Sequence, residues 1–132
     1  VSSEGRKVAA MTTTRTTNPV SWFEIASSNP DSVMSFYGEL FGWTFGDDGD
    51  YRMIDTGTSA GIKGGLADTK GNLPNHAIFY VEVPDVAATC AKAETLGGKI
   101  LLPPTDGPGG LVFAYLLDAV GNHLGVWTPP QD

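Results

Sequence analysis

The sequence predicts an α+β domain built from two tandem βαβββ modules. Three observations carry this reading. The order strand, helix, three strands is written twice along the chain, and both predicted helices carry an apolar stripe that stops at glycine. The 132 residues, 41% apolar and 17% charged, have room for one packed core and not for two.

The first strand is predicted over Val20 to Ala26, with Phe23 and Ile25 on one face and Trp22, Glu24 and Ala26 on the other. Ser27-Ser28-Asn29-Pro30-Asp31 then supplies helix-start chemistry: a side-chain oxygen for the cap, an early Pro and an acid near the positive end of the dipole. Val33, Phe36, Tyr37, Leu40 and Phe41 form the apolar stripe of that helix, and Gly42 ends it. Short strands are expected at Trp43 to Phe45, Tyr51 to Asp55 and Ile62 to Leu66, separated by Gly and Asp turns.

After a polar connection from Asp68 to Pro74, the pattern begins again. His76 to Val83 reads as a strand and Pro84-Asp85 as a helix start, with Val86, Thr89, Cys90, Ala93 and Leu96 as the second stripe, ended by Gly97-Gly98. Strands follow at Lys99 to Leu102, Leu111 to Leu117 and His123 to Trp127, with a Pro- and Gly-rich loop at Pro103 to Gly110. The single domain is therefore 19–130, with module one over about 19–67 and module two over about 75–128. Residues 1–18 read as a disordered tail, of which 1–10, ahead of Met11, are either vector-derived or upstream of the natural start.

Charge and cysteine content narrow the function classes. A formal net charge of −7, with eight Lys and Arg scattered along the chain, repels a phosphate backbone, so nucleic acid is not an expected partner. No apolar run approaches the roughly 20 residues that span a bilayer, so no membrane role is expected. Cys90 is the only cysteine, which rules out a disulfide within the chain and fits a cytoplasmic home.

Strand alternation places Trp22, Glu24, His76, Ile78, Tyr80, His123 and Trp127 on the face opposite the helix-packing residues. Two Trp, a Tyr, two His and a Glu on one concave face match a pocket, which combines aromatic walls with a few placed polar groups. Glu24, His76 and His123 are the candidate acid/base residues, and Trp22, Ile78, Tyr80, Gly64, Gly65 and Trp127 the candidate ligand contacts. Trp22 and Trp127 have two readings, stacking on a planar ligand or packing in the core or a dimer interface. Gly64-Gly65 allows close approach of a ligand to the backbone or marks a strand bulge. Cys90, on the second stripe, reads as a buried small hydrophobe.

Several segments in this order resemble the vicinal oxygen chelate superfamily, which includes glyoxalase I, the bleomycin-resistance proteins and the extradiol dioxygenases. They are Trp22-Phe23-Glu24-Ile25, Phe36-Tyr37-Gly38-Glu39-Leu40-Phe41-Gly42-Trp43, Gly64-Gly65-Leu66, His76-Ala77-Ile78-Phe79-Tyr80-Val81 and Asp118-Ala119-Val120-Gly121-Asn122. The resemblance implies curled mixed sheets that enclose a cavity, helices on the outside, and a homodimer.

It also implies where a divalent metal sits in catalytic members: one ligand each on the first, fourth, fifth and eighth strands. Those positions match Trp22, Gly64 or Gly65, His76 and Gly125 in this chain, so His76 is the only ligand retained. Trp and Gly offer no side-chain lone pair, so no metal or other cofactor is expected. The function expected is metal-independent binding of a small molecule; the alternative is a lyase, isomerase or dioxygenase-type enzyme. The latter would use Glu24, His76 and His123, either as a displaced two-His, one-carboxylate site or as metal-free acid/base groups.

Overall fold

The computed structural model describes residues 18–47 and 49–130. Apart from Asn18, the segment expected to be a tail lies outside the described residues. The first half runs β1 (Val20–Ser27), α1 (Pro30–Phe41), β2 (Thr44–Phe45), β3 (Tyr51–Asp55) and β4 (Lys63–Asp68). The second runs β5 (His76–Glu82), α2 (Val86–Thr95), β6 (Lys99–Asp106), β7 (Val112–Leu117) and β8 (His123–Thr128), with a 3₁₀ turn at Pro108–Gly110.

The strands form one eight-stranded mixed sheet in the order β2-β3-β4-β1-β5-β8-β7-β6. Read outward from the centre, both halves have the same order, and they are joined by the antiparallel pair β1–β5. Within each half the first and last strands pair in parallel in the first case, β1 with β4, and β5 pairs in parallel with β8 in the second.

Both helices start where the sequence places them. Asn29 Oδ1 accepts from Ser32 N at 3.2 Å with Pro30 in the first turn, and Asp85 Oδ1 accepts from Ala88 N at 3.0 Å, so each side chain satisfies an orphan donor. Gly42 closes α1 in the left-handed region, at φ 77°, where a side chain would be strained.

Each helix covers its own apolar cluster on one face of the sheet. Under α1 lie Ile25, Ile54 and Leu66, and Val86 and Cys90 of α2 pack on Val83, Ala114, Leu116 and Val126. Cys90 is buried there, as its place on the stripe requires.

Three expectations need correction. On α1, Val33, Met34 and Tyr37 pack on the core, whereas Phe36, Leu40 and Phe41 are exposed. At about 100° per residue, Phe36 and Leu40 fall round the helix from Val33, Met34 and Tyr37, and Trp43 extends the covered side by stacking on Tyr37 at 5.3 Å and 10°. On α2, Leu96 lies beyond the last helical residue and is exposed, so it adds nothing to the stripe. The loop expected at Pro103 to Gly110 is largely strand: β6 continues through Pro103-Pro104 to Asp106, with register shifts against β7. An edge strand tolerates proline because its outward N–H needs no partner.

Candidate functional site

The centre of the helix-free face is a buried carboxylate. Alternation along β1 turns Phe23 and Ile25 to the helices and Glu24 to the other side, where it is 2% exposed. Side-chain donors from the second half of the chain reach it. Glu24 Oε2 accepts from His76 Nε2 at 2.7 Å and from Tyr115 OH at 2.7 Å, and Oε1 accepts from Tyr80 OH at 2.9 Å. A charge this deep is tolerated only with such partners, and charge-assisted bonds of this length are the strong kind.

The reach of these side chains shows the shape of the sheet. β1 and β7 are three strands apart, a separation of about 14 Å if the sheet were flat. A Glu and a Tyr cannot span that, so the sheet curls into a trough with Glu24 at the bottom. From the opposite side Tyr51, on β3, also leans in, its OH accepting from Trp22 Nε1 at 2.9 Å. Burial first, and the Glu24 charge second, push the Tyr51, Tyr80 and Tyr115 phenols well above the usual range, so all three are held as donors.

Two glycines make room for this arrangement. Gly65 lies beside Glu24 in the β1–β4 register, and a Cβ there would collide with the Tyr51 ring. A Cβ on Gly125 would come within 2.6 Å of the Tyr80 ring. Gly64 points the other way, beneath the Phe23 ring on the helix side. Of the adjacent glycines, then, only Gly65 meets the trough, and its own chain's aromatic ring is what approaches the backbone.

His123 stands next to the carboxylate cluster. Its ring packs edge-on against His76 at 4.6 Å and Tyr115 at 5.1 Å, yet its buried Nε2 has no hydrogen-bond partner among the described residues. Burial, then the neighbouring His76, push its pKa below the usual imidazole value, with Glu24 opposing. A neutral imidazole is the result.

Above this cluster lies an aromatic wall. Trp22 and Trp127 meet with ring centroids 5.9 Å apart and planes at 52°, and Ile78, half-buried, sits opposite Glu24 across the β1–β5 pair. Trp127 Nε1 donates to Ser21 Oγ at 3.0 Å, at the irregularity between Val20 and Trp22. Trp22, Glu24, Gly65, His76, Ile78, Tyr80, His123 and Trp127 therefore share one face, as alternation predicts, and Gly64 does not.

The sequence reading misses Tyr51, Tyr115 and Ser21. The signal for the tyrosines was available in principle, since a buried Glu needs donors and both lie in predicted strands. What alternation along β3 and β7 could not supply is the curl that brings strands so far apart together.

The residues present do not fit the family's metal. Among the described residues no three His, Cys, Asp or Glu side chains are grouped to hold an ion. Glu24 and His76 are bonded to one another, and the Gly65 and Gly125 positions are occupied by tyrosine rings.

Comparison with known proteins agrees with the fold. The family model of the glyoxalase/bleomycin resistance protein/dioxygenase superfamily matches residues 20–126. "Putative glyoxylase CFP32" of Mycobacterium tuberculosis is 32% identical over 121 residues, covering 87% of this chain and 46% of the relative. The anthracycline biosynthesis protein DnrV of Streptomyces peucetius is 26% identical over 126 residues, covering 80% and 45%. The chain thus spans less than half the length of the curated relatives it matches.

Among solved structures, methylmalonyl-CoA epimerase from Mycobacterium tuberculosis superposes with a TM-score of 0.54 at 17% identity, covering 92% of this chain and 94% of the epimerase. A hypothetical protein from Bacillus halodurans C-125 superposes with a TM-score of 0.59 at 13% identity, covering 87% and 96%. The repeated strand order, the curled sheet and the match over nearly the whole domain have one reading: this chain belongs to the glyoxalase/bleomycin resistance protein/dioxygenase superfamily.

Proposed function

We propose that the chain is a metal-independent small-molecule-binding protein, with its site in the trough of the sheet between the aromatic wall and the Glu24 cluster. The observation that carries this reading is the self-sufficiency of the buried carboxylate. His76, Tyr80 and Tyr115 already supply Glu24 with hydrogen-bond donors in the place where a cation would otherwise sit. The Trp22 and Trp127 rings remain as contact surface for a ligand. Elemental analysis of the purified protein is expected to find no stoichiometric metal, and chelator to leave the melting temperature unchanged. One full equivalent of tightly held metal would end the reading. In a thermal-shift screen, a true ligand at 100 times its dissociation constant adds about 2.7 kcal/mol.

A second reading, a metal-free acid/base enzyme, is favoured by one observation: the neutral His123 imidazole, whose buried Nε2 has no partner among the described residues, beside the Glu24–His76 pair. One solved structure of this fold is a methylmalonyl-CoA epimerase. Wash-out of α-deuterium from that thioester by this protein, lost in His123→Ala with the fold retained, would support it; no exchange counts against it.

The reading includes a homodimer and a cytoplasmic home. Support for the dimer is the large apolar exposure of Phe36, Leu40 and Phe41 on α1, each more than half exposed. Among the described residues, no helix is long and apolar enough to cross a membrane. Light scattering at micromolar concentration is expected to give twice the chain mass, and Phe36→Asp to halve it; a monomeric mass in the unmutated protein defeats the dimer.

A further inference from the structure

The hydrogen-bond accounting of the wall restricts what it can recognise. Indole has one donor and no acceptor. Trp22 spends its donor on Tyr51 OH and Trp127 spends its own on Ser21 Oγ. Each ring is left with a π face and a C–H edge. Beneath the wall, the Tyr80 and Tyr115 hydroxyls and His76 Nε2 all point at Glu24, and His123 Nε2 is the one buried side-chain N or O atom without a partner among the described residues. A ligand that relies on hydrogen bonds donated by Trp22, Trp127, Tyr80, Tyr115 or His76 Nε2 would have to break an internal one first.

Geometry narrows the mode of contact. To clasp a flat ring, two indoles must lie parallel and about 7 Å apart, which is two aromatic contact distances. The observed pair is closer, at 5.9 Å, and tilted by 52°, so it forms a wedge that offers one face at a time. Both indoles are fixed in that wedge by their internal bonds.

Resting on the small-molecule reading above, we propose that the ligand is a planar aromatic molecule recognised through its π face, with Ser21 and Tyr51 as positioning residues for the two indoles. Ser21 orients Trp127. Tyr51 orients Trp22 and anchors its own ring over Gly65.

The test is isothermal titration of the full chain with three probes. They are 1,8-dihydroxyanthraquinone, its fully saturated ring counterpart, and the non-aromatic thioester S-butyryl-N-acetylcysteamine. The anthraquinone is expected to saturate and to bind at least about ten-fold more tightly than either other probe. Ser21→Ala and Tyr51→Phe are each expected to weaken it by about five-fold, with Ser21→Thr restoring affinity. In the same variants the indole N–H of Trp127 or Trp22 should exchange faster with solvent, a change that general loosening would spread over both. Equal binding of the saturated probe or the thioester overturns the aromatic class and leaves the small-molecule reading standing. Anthraquinone affinity unchanged in Ser21→Ala and Tyr51→Phe overturns the positioning role. Binding of none of the three overturns the aromatic class, while the small-molecule reading stands or falls on the metal analysis and thermal-shift screen above.

Discussion

Glu24 is the residue on which the interior depends. It is an anion held by two phenols and an imidazole in a place where water would otherwise solvate it. Tyr115→Phe keeps the ring and removes one charge-assisted bond, for an expected loss of about 1.5–3 kcal/mol in urea unfolding. Glu24→Ala leaves three buried donors unpaired at once and is expected to cost about 3–5 kcal/mol, more than any single phenol. Should Tyr115→Phe cost as much as Glu24→Ala, the network would not be centred on the carboxylate.

His123 gives the interior a pH dependence of known sign. Its native pKa lies below the usual value of about 6.5, so as pH falls below that value the unfolded chain takes up the proton first. The contribution to stability is complete above pH 6.5 and is lost as pH falls toward the native pKa. Between pH 7.5 and 5.5 the unmutated protein is therefore expected to lose more stability than His123→Phe. An equal loss in both would remove His123 as the source.

At the scale of elements, the strands are held in register by side chains that fit glycine slots. Gly125→Ala forces a methyl against the Tyr80 ring across the parallel β5–β8 pair, and overpacking of this kind costs about 1–3 kcal/mol. Combining it with Tyr80→Ala should cost less than the sum of the two, because the second change removes the obstruction. Additive costs in denaturant titrations would show that the slot does not matter.

This scale also explains what could be read in the sequence. Both helices, their caps and the face assignment of Trp22, Glu24, His76, Tyr80 and His123 followed from alternation and capping chemistry, which are local. β6 did not, because a Pro-Pro pair reads as loop unless the strand is known to lie at an edge, and edge position is set by the whole sheet. The α1 stripe was only half legible, since its apolar residues run round more of the helix than the sheet covers, and the docking angle that selects Val33, Met34 and Tyr37 is a tertiary property. Tyr51 and Tyr115 belong to the site through curvature, which no periodicity encodes.

At the scale of the molecule, the two halves share an order of strands but not a chemistry. The first half contributes the carboxylate on β1, and the second contributes His76, Tyr80 and Tyr115, which donate to it from β5 and β7. Neither half can bury its side of that set by itself without stranding either an anion or its donors. A gene divided at the exposed connection from Lys70 to Asn75 would therefore encode two peptides that need one another, each the missing solvent of the other. The two halves share one outline, and the asymmetric placement of one acid makes them inseparable.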